Sequence, residues 1–154
     1  MDREQAVRVV NDALSREYNS VSDYVLHSSP FATTADDAAL KAFEEIREKQ
    51  AATASWLTTR LREDLGAGPT LRAFAYWKRD LNYLSVPYLV RFAVGHYAAM
   101  AAEYEATAKA EAADPALKGI FGRLAAEMAA HRKKLEPFLP KWTEHPKEGP
   151  PPAP

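Results

Sequence analysis

The chain has 154 residues, a formal net charge of −1 and no cysteine, and 47% of its residues are hydrophobic. This length suits one domain that buries a substantial core. The nearly neutral charge provides no basic field, so neither nucleic acid nor an anionic membrane is an expected partner. The lack of cysteine excludes disulfides, thiolate catalysis and Cys-ligated zinc or iron–sulfur sites.

The apolar runs of the sequence bear on where the protein resides. The first ten residues lack the basic and then apolar pattern of a signal peptide. The least polar run, residues 86–102, contains Arg91 and His96, which argues against a membrane span. We therefore expect a cytoplasmic protein.

The first predicted helix covers residues 3–28. A capping box that begins at Asp2 predicts its start. Glu17 falls in register with the apolar stripe of this helix, between Leu14 and Val21. Glu17 is then either a metal ligand or a buried acid, or it leans outward at the edge of the stripe.

The second predicted helix covers residues 35–65, between a cap at Thr34 and a stop at Gly66. Two polar residues, Gln50 and Thr53, lie on its apolar face. If the first two helices are antiparallel neighbours, these residues lie at the depth of the first helix's carboxylate, about 21 to 22 Å from the same end. We expect the three side chains to meet.

The connection at residues 66–85 is too long for a tight helical hairpin. Its apolar and aromatic residues predict a crossover that packs along the other helices, with room for a short helix. The run Tyr76-Trp77-Lys78-Arg79 also has the composition of a nucleic-acid-binding patch. The overall charge argues against that second interpretation.

The third predicted helix covers residues 86–113, with Ser85 as its cap. Its faces are less distinct than those of the other helices. His96, Ala99 and Glu103 border its apolar stripe. His96 is either a hydrogen-bonded histidine near the edge of the core or a metal ligand.

The fourth predicted helix covers residues 115–138 and begins at an Asp114 cap. Its apolar stripe includes Met128 and His131, which have the spacing of a Glu-x-x-His metal motif with Met in place of Glu. The proline-rich residues 140–154 cannot continue a helix. We expect them to be disordered or to drape over the helices, and a polyproline ligand is the alternative.

Three segments, residues 15–18, 43–57 and 114–131, resemble rubrerythrin-type members of the ferritin-like superfamily. The resemblance implies an all-α domain over residues 1–139, followed by the tail at 140–154. Its fold would be a ferritin-like up-down four-helix bundle with a long crossover between the second and third helices. Such families hold two irons with a Glu on the first and third helices and a Glu-x-x-His on the second and fourth.

Carried over to this chain, the resemblance leaves two of the six ligands, Glu17 and His131. The other four positions hold residues poorly suited to iron: Gln50, Thr53, Ala99 and Met128. We therefore expect these six positions to form a buried polar pocket without metal. The sequence predicts no cofactor and no catalytic residue.

Glu17 and His131 are expected to pair across this pocket. A buried carboxylate or imidazolium needs a partner or must become neutral. A direct or water-bridged contact would lower the pKa of the glutamate and raise the pKa of the histidine if both are charged. Gln50 and Thr53 would complete the hydrogen bonds.

Two functions remain open. The first is a binding or structural module that recognises an unidentified protein or small molecule. A homodimer is a candidate assembly, since aromatic residues such as Trp77 and Tyr83 exceed what one bundle obviously buries. The second is a metal-dependent oxidoreductase with a rearranged ligand set for iron or another divalent metal. Its candidate ligands lie on or beside the stripes: Glu17, His131, Glu48, His96, Glu103 and Glu127.

Overall fold

The structure is a computed structural model that describes residues 1–71, 81–111 and 114–140. Within these ranges it contains five α-helices: α1 (Arg3–Tyr18), α2 (Val21–His27), α3 (Asp37–Glu63), α4 (Val86–Ala110) and α5 (Pro115–Leu135). Two 3₁₀ turns, Thr34–Asp36 and Glu136–Phe138, precede α3 and follow α5.

The regular structure of these ranges is helical, apart from an isolated bridge between Phe31 and Ser85. This confirms the all-α class. No helix in the described part of the chain is long and apolar enough to cross a membrane. The predicted patch at Tyr76-Trp77-Lys78-Arg79 and the tail after Pro140 lie outside the described residues.

The first predicted helix is interrupted, so the prediction of one helix over residues 3–28 is wrong. Asn19 ends α1, since its backbone N–H and its side-chain amide both donate to the carbonyl of Ser15, at 3.0 and 3.1 Å. Ser20 begins α2, because its hydroxyl accepts from the N–H of Asp23 at 3.0 Å. The Asn-Ser pair therefore supplies two caps inside a continuous apolar stripe.

Local capping explains where α1 and α5 begin, whereas Ser85 precedes α4 without a side-chain capping hydrogen bond. The predicted caps at Asp2 and Asp114 are confirmed, and each carboxylate accepts from N–H groups of the following turn at 2.8 to 3.1 Å. The predicted cap at Thr34 is wrong. Thr33 instead donates its N–H to Asp36 at 2.8 Å, and the 3₁₀ turn between them moves the start of α3 two residues later.

The segment that follows α3 is held by α1. Gly66 has a φ of 57°, the left-handed conformation that ends the helix there and favours glycine. Arg3 donates to the carbonyl of Leu65 through Nε at 3.0 Å and through Nη2 at 2.8 Å. Asn11 accepts from the N–H of Thr70 at 2.6 Å. The exit from α3 is therefore tied to residues far away in sequence.

Contacts between helices show that α1 runs antiparallel to α3 and α4. The start of α1 meets the end of α3 through the bonds of Arg3 to Leu65. The terminal ammonium of Met1 pairs with Glu111 at 3.1 Å, just after the end of α4.

Further contacts orient α5. It runs antiparallel to α4, since Tyr97 contacts the ring of His131 and Tyr104 contacts Phe121, with centroids 5.4 and 5.9 Å apart. It also runs antiparallel to α3, where Lys134 pairs with Glu45 near the start of α3. The helices α1 and α5 therefore run in one direction, and α3 and α4 run in the other.

The apolar faces of these helices form one core. Its largest fully buried apolar and aromatic side chains come from α3, α4 and α5: Phe43, Ile46, Leu57, Leu61, Leu89, Tyr97, Leu117, Ile120, Leu124, Met128 and Leu135. Burying residues of this size provides the main stabilisation of such a fold. Several polar side chains interrupt this core at about the middle of the helices, and these form the candidate site.

Candidate functional site

Five of the six predicted site positions are buried in the core. Their exposed fractions are 4% or less: Glu17 2%, Gln50 2%, Thr53 0%, Met128 0% and His131 4%. The sixth, Ala99, is exposed, so its predicted place in the pocket is wrong. The buried side of α4 follows Tyr97, Met100 and Tyr104. Ala99 is turned about 100° from Met100 and about 160° from Tyr97, which carries it away from the core.

A hydrogen-bonded chain crosses the centre of the core and links α2, α4 and α3. The hydroxyl of Tyr97 donates to Oε1 of Gln50 at 3.2 Å. Ser22 lies 2.7 Å from the same hydroxyl. Because the single proton of Tyr97 goes to Gln50, Ser22 is the donor in the second bond. We call Ser22, Tyr97 and Gln50 the central polar chain.

Glu17 lies at the Gln50 end of this chain. Neither of its carboxyl oxygens has a hydrogen-bond partner of good geometry among the described residues. Burial raises the pKa of Glu17 to about 8, the amide of Gln50 lowers it in part, and the charge of Glu127 raises it. Glu17 is therefore mainly protonated and neutral at pH 7.

His131 contacts the ring of Tyr97 in a T-shaped arrangement, with the centroids 5.4 Å apart. Its Nε2 is buried and has no hydrogen-bond partner among the described residues. Burial lowers the pKa of His131 to about 4; Glu127 raises it, and Lys134 and Lys49 lower it. The imidazole is neutral at pH 7.

The predicted direct contact between Glu17 and His131 is absent from the described structure, whereas the water-bridged alternative stays a prediction. No hydrogen bond joins them, and both pKa values move in the direction opposite to that of an ion pair. The reason is the position of Tyr97, whose ring contacts the histidine and whose hydroxyl bonds to Gln50. Each group becomes neutral because burial disfavours its charged form more than the nearby charges favour it.

Thr53 belongs to a second network, between α3 and α5. Its hydroxyl donates to Glu127, and the carbonyl of Lys49 lies 3.1 Å away as a competing acceptor. The other carboxyl oxygen of Glu127 accepts from Arg123 at 2.8 Å. The guanidinium of Arg123 lies 4.0 Å from the ring centroid of Trp56, a cation–π contact. Thr53 thus joins two helices and does not point to an open ligand position.

The alternative metal ligands do not assemble either. Glu48 is exposed, and Glu103 is an exposed partner of Arg16 at 2.8 Å. His96 is partly buried and stacks on Phe92, with centroids 6.2 Å apart. Across residues 1–71, 81–111 and 114–140, no three His, Asp or Glu side chains lie close enough together to hold a metal ion.

The donor set does not fit a di-iron centre. The carbonyl oxygen of Gln50 already accepts from Tyr97, and the hydroxyl of Thr53 donates to Glu127. Met128 offers only a thioether, which is a poor ligand for this hard-ligand chemistry. Glu17 and His131 remain, and two ligands cannot neutralise and orient two iron ions.

Sequence patterns did not identify Ser22, Tyr97 and Tyr104 as members of the polar centre. Tyr97 and Tyr104 lie seven residues apart on the buried stripe of α4, and the hydroxyl of Tyr104 has no partner among the described residues. Burial raises the pKa of both phenols. A usable signal was present, because a tyrosine on a core stripe brings a hydroxyl that needs a partner.

A cavity of about 670 Å³ lies between α1, α2 and α3, and Glu17 is part of its wall. We call it the Glu17 cavity. Its described wall is mostly apolar or small, with three ionisable residues: Leu14, Tyr18, Ser20, Ala51, Ala54, Ser55, Thr58, Pro69 and Leu71, together with Glu17, Asp23 and Arg47. This volume lies within the range of small-molecule sites, about 300 to 1,000 Å³.

No protein-family model matches this chain, and no similar protein is found among curated proteins or solved structures. The function therefore has to be inferred from the polar centre and the cavity.

Proposed function

We propose that this chain is a ferritin-like four-helix bundle that has lost di-iron chemistry and acts as a binding or structural module. In this arrangement α1 and α2 together form the first helix, and α3, α4 and α5 form the other three. The helix directions support it: α3 and α4 run parallel, as a long crossover between the second and third helices requires. An up-down bundle with only short loops would place these two helices antiparallel.

The main support for the proposal is that side chains at the former ligand positions are already engaged in hydrogen bonds within the protein. Gln50 is engaged by Tyr97, and Thr53 is engaged by Glu127. The phenol of Tyr97 bonds to Ser22 and Gln50, and its ring contacts His131. The side chains at these two positions are thus held by hydrogen bonds, Gln50 to a phenol and Thr53 to a carboxylate that is paired with Arg123. A di-iron site is instead organised by carboxylates around cations.

The second candidate function is a metal-dependent ferritin-like oxidoreductase with a rearranged ligand set. One observation favours it: both oxygens of Glu17 and Nε2 of His131 are buried without partners in the described residues. Such atoms are the donors that a divalent cation would use. The proposal of a metal-free module is preferred, because the further ligands that iron needs are engaged elsewhere or exposed.

Metal analysis separates the two candidates. The full chain is purified without chelator, incubated anaerobically with excess Fe²⁺, desalted and analysed for bound iron. We expect much less than one iron per chain, unchanged in His131→Leu and in the exposed control Glu48→Gln. Stoichiometric iron that is lost in His131→Leu but kept in Glu48→Gln would establish the oxidoreductase reading instead.

A further inference from the structure

Three aromatic side chains are exposed at the end of the molecule where α4 begins. Phe31 and Tyr83 are each 68% exposed, and Tyr88 is 52% exposed. The N–H of Phe31 donates to the carbonyl of Leu84 at 2.9 Å, which places Phe31 next to Tyr83 along the backbone. Tyr88 follows in the first turn of α4. We call Phe31, Tyr83 and Tyr88 the aromatic patch, since grouped exposed aromatic residues are typical of interaction surfaces.

The backbone holds Tyr83 in an unfavourable conformation. Its φ is 58°, in the left-handed region that bulky residues rarely adopt. Its N–H donates to the carbonyl of the buried residue Ser28 at 3.2 Å, which holds this conformation in place. Strain of this kind is found preferentially where a side chain contacts a ligand or a partner. The exposed ring of Tyr83 is therefore better explained by binding than by packing.

The described chain ends at the same end of the molecule. Tyr97 of α4 contacts His131 of α5, and these two helices are antiparallel. Following α4 back and α5 forward by about eight residues from this contact brings Leu139 level with the first turn of α4, where Tyr88 lies. The turn Glu136–Phe138 also contacts α4. The proline-rich tail therefore starts at the level of the aromatic patch.

The composition and length of the tail suit this patch. Residues 141–154 contain five prolines, at positions 146, 150, 151, 152 and 154. Proline-rich segments favour the polyproline II helix, which loses little entropy on binding and docks onto aromatic side chains. At about 3.1 Å per residue, the chain from Pro140 to Pro150 can span about 31 Å. Neighbouring helices are only about 8 to 10 Å apart, so residues 150–152 can reach the patch.

We propose that the aromatic patch binds the proline-rich tail of its own chain, with residues 150–152 against the rings of Tyr83 and Tyr88. Attachment to the same chain gives the tail an effective concentration of about 1 mM at the patch. A contact with a dissociation constant of about 0.3 mM would then be occupied in about three quarters of the molecules. The tail of a second copy reaches this concentration only in concentrated solution. The docked tail covers the patch and competes with other proline-rich segments for it.

The test uses the absence of native cysteine. Ala153→Cys gives the full-length chain one thiol, which is coupled to a nitroxide spin label, and the label broadens the NMR signals of nearby backbone amides. Spectra with the label oxidised and reduced measure this broadening. We expect it to be strong around Phe31, Tyr83 and Tyr88, and absent around Gly66 at the opposite end of the molecule.

Variants on both sides of the contact distinguish docking from simple proximity of the tail. Combining Tyr83→Ser with Tyr88→Ser should weaken docking about 10-fold, which lowers the broadening at the patch about threefold. Replacing the prolines at 150–152 with serine should have the same effect from the other side. The matched control is Tyr18→Ser, because Tyr18 is 64% exposed on α1 and is not part of the patch. It should leave the broadening unchanged.

Broadening that is equally weak along the whole chain would overturn the proposal, as would broadening that persists when both patch tyrosines are replaced. A mixture of ¹⁵N-labelled chain without the spin label and unlabelled chain with it detects contacts between copies. Equally strong broadening in this mixture would show that the tail of a second copy is the occupant, which contradicts the proposal. The proposed function fails by a different result, stoichiometric Fe²⁺ held through His131, and this inference does not depend on it.

Discussion

The two sides of the polar centre place opposite kinds of ionisable group in the same kind of environment. On the α1–α3 side, burial raises the pKa of Glu17 to about 8; on the α4–α5 side, burial lowers the pKa of His131 to about 4. Desolvation disfavours the charged form of either group, so an acid and a base both become neutral. The sides differ in their surroundings, because Glu17 borders a cavity whereas His131 packs against the ring of Tyr97.

The largest expected effect concerns Glu17. Its pKa is raised from 4.5 to about 8, so the folded protein binds this proton more tightly than the unfolded chain does. The stabilisation is fully present below pH 4.5 and is lost as the pH rises towards 8. Relative to Glu17→Gln, the wild-type protein should lose up to about 5 kcal/mol of unfolding free energy across this window. Urea unfolding at several pH values measures the difference.

Glu48→Gln is the matched control for this measurement, since Glu48 is an exposed glutamate on α3. Its unfolding free energy should follow that of the wild-type protein at every pH. Parallel curves for Glu17→Gln and wild type would show that Glu17 is charged and solvated at neutral pH, and the contrast between the two sides would disappear.

The second effect has the opposite sign. The pKa of His131 is lowered from 6.5 to about 4, so its contribution to stability is present above pH 6.5 and is lost as the pH falls towards 4. Relative to His131→Leu, the wild-type protein should lose about 3 kcal/mol over that range. At neutral pH, His131→Leu should lower the free energy of unfolding by a few kcal/mol or less, since an apolar group can replace a neutral ring. Thermal and urea unfolding of both proteins test this.

The ring of Tyr97 contacts His131, and its hydroxyl holds the central polar chain together. Tyr97→Phe keeps the ring but leaves Ser22 and Gln50 without their common partner. We expect a loss of about 1 to 3 kcal/mol of unfolding free energy. The control is Tyr88→Phe, because Tyr88 is 52% exposed and should change stability little. A neutral effect of Tyr97→Phe would mean that water or another group satisfies Gln50 equally well.

Glu127 connects the two sides electrostatically. Its charge raises the pKa of both Glu17 and His131. In Glu127→Gln, both pKa values should fall: that of Glu17 towards its ordinary value, and that of His131 further from it. An NMR titration that follows both side chains measures the two pKa changes in one experiment. Movement in opposite directions would show that the substitution acts by repacking α5 and not by its charge.

The smallest expected effect concerns assembly. Tyr83 is 68% exposed, whereas Trp77, the other aromatic residue behind the predicted homodimer, lies outside the described residues. If chains pair through this surface, light scattering at high concentration should give twice the monomer mass, and Tyr83→Ser should reduce it. If the protein dimerises and the pH dependence of its unfolding free energy attributed to Glu17 and His131 stays unchanged, neither residue lies in the interface. A monomeric mass at all concentrations would contradict self-association.

Helical periodicity predicted the buried faces well where the stripe is distinct. Glu17, Gln50, Thr53, Met128 and His131 were all placed in the core from spacing alone, and all are buried. On α4 the spacing placed Ala99 at the border of the apolar stripe, and this residue is exposed. Its assignment to the pocket came from the family resemblance and not from periodicity.

Contacts across the core were less predictable than faces. The depth argument brought Glu17 and Gln50 to one level, but it could not show that a tyrosine from α4 would bond to Gln50 and contact His131. The break after α1 was also missed, although Asn19 and Ser20 are both good capping residues. The prediction followed the continuous apolar stripe and disregarded these two capping residues. Side-chain contacts across the core depend on the relative positions of three helices, and no single stretch of sequence encodes those positions.

The attachment of α1 to the exit from α3 has a consequence for how the molecule opens. Arg3 donates two hydrogen bonds to the carbonyl of Leu65, just after α3, and Asn11 anchors Thr70 next to Pro69 and Leu71 of the cavity wall. Local unfolding of α1 would release these bonds together, so both segments should behave as one cooperative unit. Amides at the end of α3 and in α1 should therefore exchange with solvent hydrogen at matching rates, and access to the cavity should follow the same opening.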